Sequence, residues 1–218
     1  MGYLNTYRSR LNANGSNSMD SIVQGSKQTV KNNFSNSLFS EVVLIDDVEY
    51  EVIVTQEKLS ENKKILLHPD TKIDIGATVK IKELPYLVMD FLGDGINEVY
   101  PTATLRLCNS TFPIESNNTS VLIGTDSYGR PVYSDQSTVT NTPCIVETKY
   151  YFNNRNEQIT LPEDRMLITM QYQDAPNIEV GKEFEMYKSR FKITHFDFSK
   201  VINGKGVMVF TGERVMDK

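Results

Sequence analysis

The side chains that could perform catalysis are few and lie far apart along the sequence. The chain has two histidines, His68 and His195, and two cysteines, Cys108 and Cys144. A nucleophile needs a base within hydrogen-bond reach and a third group that orients the base. No local pattern supplies such a set, so a hydrolase built on His195 is disfavoured. We expect no catalytic residue and no enzyme activity.

The residues that could bind metal or cofactor are equally sparse. Two cysteines cannot form a four-thiolate zinc site, and no glycine-rich phosphate loop follows a strand and opens a helix. The segment 90–98 resembles a calcium loop, but Leu92 stands where the third position needs an oxygen ligand. It predicts a hairpin turn instead. We expect no metal and no cofactor.

Aromatic and arginine side chains form two sets of the kind that protein–protein contacts use. The candidate contact residues are Tyr3, Tyr7, Arg8 and Arg10 near the N-terminus, and Tyr128, Arg130 and Tyr133 in a polar stretch. Two alternatives stay open: surface helices without a partner for the first set, and aromatics folded back on their own domain for the second. A sugar-stacking surface would use Tyr128, Tyr133, Tyr150 and Tyr151, although the lack of Trp weakens that hypothesis.

Charge and hydropathy narrow the class of protein further. The 218 residues include 23 Lys and Arg and 28 Asp and Glu, for a net charge of −5. A general nucleic-acid binder needs a basic surface, so we expect a protein that stands near DNA without gripping it. No apolar stretch reaches the length of a membrane span, and residues 1–8 lack the apolar region of a secretion signal. We therefore expect no membrane segment, with assembly in a cytoplasm.

The elements that must position these residues are mainly β. Residues 1–40 are rich in Asn and Ser and show two short helical patterns, which predict an N-terminal helical arm. Residues 41–111 and 144–218 alternate apolar and polar side chains, which predicts two β domains. Residues 112–143 are predicted to be a long polar loop that contains a candidate hairpin at Val121–Tyr133.

An internal repeat connects the two β domains. Shifting the sequence by 105 residues lays 73–91 on 178–196 without a gap, so that Gly76 meets Gly181, Tyr86 meets Phe191 and Val88 meets Ile193. Chance similarity between strand patterns is the alternative. A duplication predicts two tandem small β-barrel-like domains preceded by short N-terminal helices, with each glycine in a turn that requires a positive φ.

Several short motifs resemble one family. They are Tyr7-Arg8-x-Arg10, Asn14-Gly15-Ser16, Val43-Leu44-Ile45-Asp46, Ile75-Gly76, Leu107-Cys108-Asn109 and, more loosely, Pro143-Cys144-Ile145. Over residues 3–110 the chain resembles head and neck structural proteins of tailed bacteriophages that infect Gram-positive bacteria. The family often has Trp in the strand after the glycine, where this chain has Tyr86.

The resemblance implies a head–tail connector, adaptor or stopper of the phage neck. Such a protein forms a ring that joins the portal and head to the tail and lines the DNA channel. The implied partners are copies of itself, portal or adaptor proteins, tail proteins and passing DNA that is not bound by sequence, and the implied location is the virion. The alternative is a baseplate or tail β module, with carbohydrate as its candidate ligand.

Overall fold

The computed structural model divides into two units, and each is described by itself. The units are residues 1–107 and 108–218. The described residues are 3–11, 13, 15, 17–56, 61–115, 119–125, 128–136, 138–151, 158–160 and 164–215.

The first unit contains two helices and a closed six-stranded barrel. The helices are α1 (Tyr3–Leu11) and α2 (Ser18–Asn36). The strands are β1 (Ser40–Ile45), β2 (Val48–Gln56), β3 (Asn62–Leu66), β4 (Thr78–Ile81), β5 (Leu84–Leu92) and β6 (Thr102–Leu107). Their order around the barrel is β1-β2-β3-β6-β5-β4, and β4 pairs with β1 to close it. Closure leaves no open edge in this sheet.

Alternation along the strands builds the core of this barrel. Val43 and Ile45 of β1 point inward and are buried, whereas Val42 is exposed. Val79 and Ile81 of β4 repeat the same alternation. Asp46 and Asp47 make the two-residue turn between β1 and β2 with φ of 46° and 64°, the geometry that matches the twist of a tight hairpin.

Helix α2 packs on its own barrel. Asn17 caps its start by accepting a hydrogen bond from the Asp20 backbone N–H. Val30 and Phe34 are buried against Val99, which lies after the 3-10 turn Gly95–Glu98. Helix α2 therefore belongs to the first unit and not to a separate arm of residues 1–40, because its buried side chains are covered within that unit.

Charge also fixes α2 in place. The Lys27 ammonium is buried and forms ion pairs with Asp70 and Glu98. The hydrogen bond that Lys27 donates to Asp70, followed by the charges of Asp70 and Glu98, raises the pKa of Lys27 although burial lowers it. A nearly buried charge is tolerated only when it is paired, so the helix, the segment after β3 and the 3-10 turn are coupled at this point.

The second unit repeats the strand order of the first. Its main strands are β7 (Ser110–Glu115), β10 (Val139–Glu147), β13 (Arg165–Gln171), β14 (Glu183–Met186), β15 (Ser189–Ile202) and β16 (Lys205–Arg214). The order β7-β10-β13-β16-β15-β14 matches the first sheet position for position. Its core includes the fully buried aromatics Phe112 and Phe210, whose rings meet edge to face at 5.1 Å.

Two hairpins distinguish the second unit from the first. They are β8 (Thr119–Thr125) with β9 (Pro131–Gln136), and β11 (Lys149–Tyr151) with β12 (Gln158–Thr160). The first hairpin is inserted between β7 and β10, and the second follows β10. Because β10 runs across the sheet, the two hairpins leave this unit at opposite ends of that strand.

The predicted repeat is confirmed in backbone detail. Gly76 and Gly181 have φ of 87° and 92°, and their N–H groups donate to Val88 and Ile193, each at 2.8 Å. The tight turns that follow have positive φ at Lys82 with Glu83 and at Tyr187 with Lys188. Both copies also have a register shift after the acceptor strand residue, at 88/90 and at 193/195.

The domain boundaries differ from those predicted at 111/112 and 143/144. Phe112 and Ile114 are buried in β7, and β10 already begins at Val139, where it pairs with Glu115. Only the β8–β9 hairpin within the predicted 112–143 loop lies outside the main sheet. Strand β7 has only a short alternation of buried and exposed residues, and the first three residues of β10 are exposed. Both strands therefore lack the apolar pattern from which a strand is predicted.

In the second unit a side chain, rather than a strand, pairs with the outer edge of β7. The Asn177 amide lies beside β7, where its Oδ1 accepts from the Glu115 backbone N–H at 3.1 Å and its Nδ2 donates to the Pro113 carbonyl at 2.7 Å. In the first unit the equivalent gap is closed by the pairing of Leu44 with Lys80. The second sheet is therefore nearly closed.

Candidate functional site: the exposed contact surfaces

Ser40, Glu51 and His68 form the group that most resembles a catalytic set. Ser40 Oγ donates to Glu51 Oε1 at 2.8 Å, and His68 Nε2 lies 3.1 Å from Glu51 Oε2. Both side chains therefore bind the carboxylate, and the histidine does not face the serine hydroxyl as a general base would. The His68 ring stacks on Phe34 at 4.0 Å. Ser40, Glu51, His68 and Phe34 therefore connect the barrel to α2, and we call this group the clasp.

Hydrogen bonding sets the charge of this clasp. The bond from Ser40, followed by that from His68, lowers the pKa of Glu51. A carboxylate that accepts hydrogen bonds in its ionised form is stabilised in that form. Glu51 is therefore ionised at neutral pH and accepts from both neighbours.

The cysteines and the second histidine are not arranged for nucleophilic chemistry. Cys108 and Cys144 are buried and form no disulfide. Burial, with a further contribution from Cys108, raises the pKa of Cys144 to about 12, so this thiol stays protonated and is a poor nucleophile. His195 lies exposed on β15. Within the described ranges, no three His, Cys, Asp or Glu side chains gather into a group that could hold a metal ion.

The N-terminal candidates lie on an exposed apolar face. Tyr3 and Tyr7 of α1 are 83% and 52% exposed, and Leu4 between them is also exposed. Met19 and Ile22, at the start of α2, are exposed as well, and α1 contacts α2. Helix α1 carries Arg8 and Arg10 and no acidic residue. Arg8 is exposed, and the side chain of Arg10 lies outside the described residues.

The second candidate set lies at the tip of the β8–β9 hairpin. Tyr128 is 86% exposed and Arg130 is exposed in the turn between the strands. Tyr133 belongs to β9, but its side chain lies outside the described residues. The same holds for the side chains of Tyr150 and Tyr151 in β11. The structure thus brings Tyr128 and Arg130 together in one turn.

The sequence reasoning missed an open groove on the outer surface of the first barrel. It occupies about 670 Å³ over β1 and β4, and Val42 and Leu44 form its apolar floor. Glu49 and Glu83 line it, together with Lys80 and Lys82. The apolar run Val42–Ile45 suggests a strand buried on both faces, whereas Val42 is exposed and Leu44 is half-buried. The sequence alone gives no signal for the groove, because it does not show which of these side chains face outward.

Neither described helix is long and apolar enough to cross a membrane.

Comparison with known proteins follows the same division into two halves. Residues 7–107 match the YomX N-terminal domain family, and residues 110–213 match the YomX C-terminal domain family. The chain is similar to the SPbeta prophage-derived uncharacterized protein YomX of Bacillus subtilis (strain 168), with 23% identity over 180 residues that cover 80% of this chain and 82% of that protein. No solved structure matches. The boundary between the two matches falls at the boundary between the two structural units.

Proposed function

We propose that this chain, which belongs to the YomX family because the two domain matches together span nearly all of it, is a structural protein of a bacteriophage particle. A relative of prophage origin supports a phage-related role. The more specific proposal is a neck protein, which forms a ring that joins the portal and head to the tail and lines the DNA channel.

The observation that carries the proposal is the duplicated barrel with hairpins at both ends of its second copy. A ring subunit needs a rigid body, a surface for its neighbours and elements that reach the layers before and after it. The closed barrel of the first unit and the nearly closed sheet of the second supply rigid bodies. The β8–β9 and β11–β12 hairpins leave opposite ends of β10, which suits contacts with portal or adaptor proteins on one side and tail proteins on the other.

Electrostatics supports a channel that DNA can pass. The chain has a net charge of −5, and a wall that neutralised phosphates would release counterions and bind the duplex. An acidic wall repels DNA and leaves it mobile. The genome would therefore pass without sequence-specific binding. The proposed role also requires no enzyme activity, because a ring acts through its contacts.

Imaging of particles that lack the gene tests this proposal. Deleting the gene from an inducible phage should yield filled heads and separate tails, and a wild-type copy supplied in trans should restore joined particles. Gold-labelled antibody against the protein should mark the neck of wild-type virions. Label at the tail tip would favour the tail or baseplate alternative. Joined, infectious particles that lack the protein would overturn a structural role.

A further inference from the structure

We propose that the basic, apolar helix α1 of one copy docks in the groove over β1 and β4 of a second copy, so that copies associate head to tail. This inference rests on the proposed ring, which it supplies with a specific subunit contact. A helix laid into an apolar groove is a common mode of recognition.

The donor surface of this contact is apolar and unusually exposed. Tyr3, Leu4 and Tyr7 are 83%, 69% and 52% exposed, and Met19 and Ile22 of α2, the helix that α1 contacts, are 70% and 61% exposed. Large apolar side chains that are exposed together in this way indicate an interaction site. The spacing i, i+1, i+4 places the three α1 side chains on one helix face, ready to enter a groove together.

The acceptor surface matches it in hydrophobicity. Val42 is 68% exposed and Leu44 is half-buried, and both face the groove from β1. Because side chains alternate along a strand, these two residues lie on the outside of the barrel while Val43 and Ile45 fill its core. The floor can therefore bind apolar side chains without any change in the core.

Charge complementarity selects α1 as the occupant. The groove lysines are already engaged, since Lys80 pairs with Asp47 at 3.1 Å and Lys82 with Glu41 at 2.7 Å. Glu49 and Glu83 have no ion-pair partner among the described residues. The groove thus offers two carboxylates without an ion-pair partner beside an apolar floor, and α1 offers the exposed Arg8 on a helix whose sequence contains no acidic residue.

The contact joins two different surfaces, so it is heterologous. A heterologous contact repeats from copy to copy and closes into a ring when the rotation permits. A symmetric dimer would instead bury the same surface on both copies. Helix α1 and the groove both belong to the first unit of each chain, so every copy can donate its own α1 and accept the α1 of another copy.

Disulfide trapping between singly substituted proteins tests the contact even if it is weak. A tagged Tyr7→Cys protein is mixed with an untagged Leu44→Cys protein under a mild oxidant, and Val42→Cys serves as a second groove variant in case Leu44→Cys perturbs the barrel. The matched control is Val180→Cys in the second unit, because Val180 is 66% exposed and Val42 is 68% exposed. We expect tagged–untagged dimers on a non-reducing gel at about tenfold higher yield for the groove variants.

Charge reversal provides the second part of the experiment. Arg8→Glu in the tagged protein should lower the cross-linked yield about two- to fivefold, the range of one exposed ion pair. Glu49→Arg in the groove partner should restore it. Thermal melts of each variant check that the fold is intact. Equal yields with Val180→Cys, or no rescue, would overturn the proposal.

The double variant Tyr7→Cys/Leu44→Cys identifies the occupant. Head-to-tail docking gives a ladder of covalent oligomers. If α1 instead docks in the groove of its own chain, only an internal disulfide forms, and that result overturns the intermolecular contact. Neck labelling without cross-linking would reject this contact and leave the proposed function standing. Cross-linking in a protein that is absent from virions would support this contact and reject the proposed function.

Discussion

At the residue scale, polar side chains act here as connectors between backbone elements. Glu51 accepts from Ser40 and His68, and His68 stacks on Phe34 of α2. Asn177 takes the place of a missing strand partner at β7. A side chain that bonds backbone or bridges two elements stabilises by being fully paired, and it is costly to remove because its partners are left unsatisfied.

The titration of Glu51 should report the clasp directly. Replacing Ser40 with Ala removes the hydrogen bond that contributes most to lowering the pKa of Glu51, so this pKa should rise towards its ordinary value. Carbon-13 NMR titration of the carboxyl group measures it. Because the folded pKa is depressed, the stabilisation is present above the unfolded pKa and is lost as pH falls through the folded pKa.

Thr55→Ala is the matched control for that titration. Thr55 lies on the same strand as Glu51, but its hydroxyl donates to the Lys64 carbonyl instead. The pKa of Glu51 should not move in this variant. An unchanged pKa in Ser40→Ala would show that the Ser40 hydrogen bond does not hold the carboxylate.

Removal of the Asn177 amide should destabilise the second unit. Asn177→Ala leaves the Pro113 carbonyl and the Glu115 N–H without their partner, and we expect a loss of about 1–2 kcal/mol in the free energy of unfolding. Asn177→Asp retains the acceptor and loses the donor, so it should also destabilise. Urea denaturation followed by tyrosine fluorescence measures both. Asn141→Ala, an exposed change in β10, should have little effect, and equal losses in all three variants would contradict the closing role.

At the element scale, one plan accounts for both units. In each unit the first three strands of the main sheet pair in chain order. The chain then passes through a glycine turn, at Gly76 or Gly181, and forms a tight hairpin before the last strand. In the first unit a two-residue turn joins β1 to β2, whereas β8 and β9 stand at the same place in the second unit. The hairpin is an insertion that forms a sheet of its own, so we expect the main sheet to fold without it.

This shared plan suggests an experiment in which the inserted hairpin is replaced by a short turn. Substituting an Asn-Gly turn for residues 116–138 should leave Glu115 paired with Val139, as the turn at Asp46 leaves Ile45 paired with Val48. Loop closure changes slowly with length, so the free energy of unfolding should change by only about 1–2 kcal/mol. Calorimetry measures it.

A larger deletion provides the contrast. Removing residues 112–143 takes out the fully buried Phe112 and the first half of β10, so the second unit should fail to fold. Normal melting of that deletion would show that β7 is not part of the core. Loss of folding in the 116–138 replacement would show that the hairpin is.

The repeat was predictable from sequence, whereas the edges of the second sheet were not. Gly76 and Gly181 are detectable because a positive φ restricts the residue type, and buried strands show their alternation. Strand β7 offers only Phe112 and Ile114 within a polar stretch. The groove was missed because outward apolar residues in β1 cannot be told from inward ones until the register is known.

The contact candidates show the same limit. Tyr3 and Tyr7 follow helical spacing, and the structure places both on the exposed face of α1. Docking of α2 was not foreseen, because Gly25 interrupts its pattern and its partner Val99 is remote in sequence. Periodicity identifies a helix face, but only tertiary structure shows what covers it.

At the scale of the whole molecule, each unit has a core of its own. One core gathers Val52, Ile65 and their neighbours in the first barrel, and the other gathers Phe112, Ile168 and theirs in the second sheet. Each unit has about the size at which a single core can sustain an independent fold. The chain should therefore unfold in two calorimetric transitions.

Equivalent substitutions in the two copies should separate those transitions. Ile65 pairs with Ala103 and Ile168 with Phe210 at matching places in the repeat, and both isoleucines are fully buried. Each change to Ala should cost about 2–5 kcal/mol through lost burial and the cavity left behind. For a unit of roughly 100 residues this lowers one Tm by about 8 °C or more. Ile65→Ala should shift one transition and Ile168→Ala the other, whereas a single transition that both variants shift together would mean that the two barrels unfold as one cooperative body.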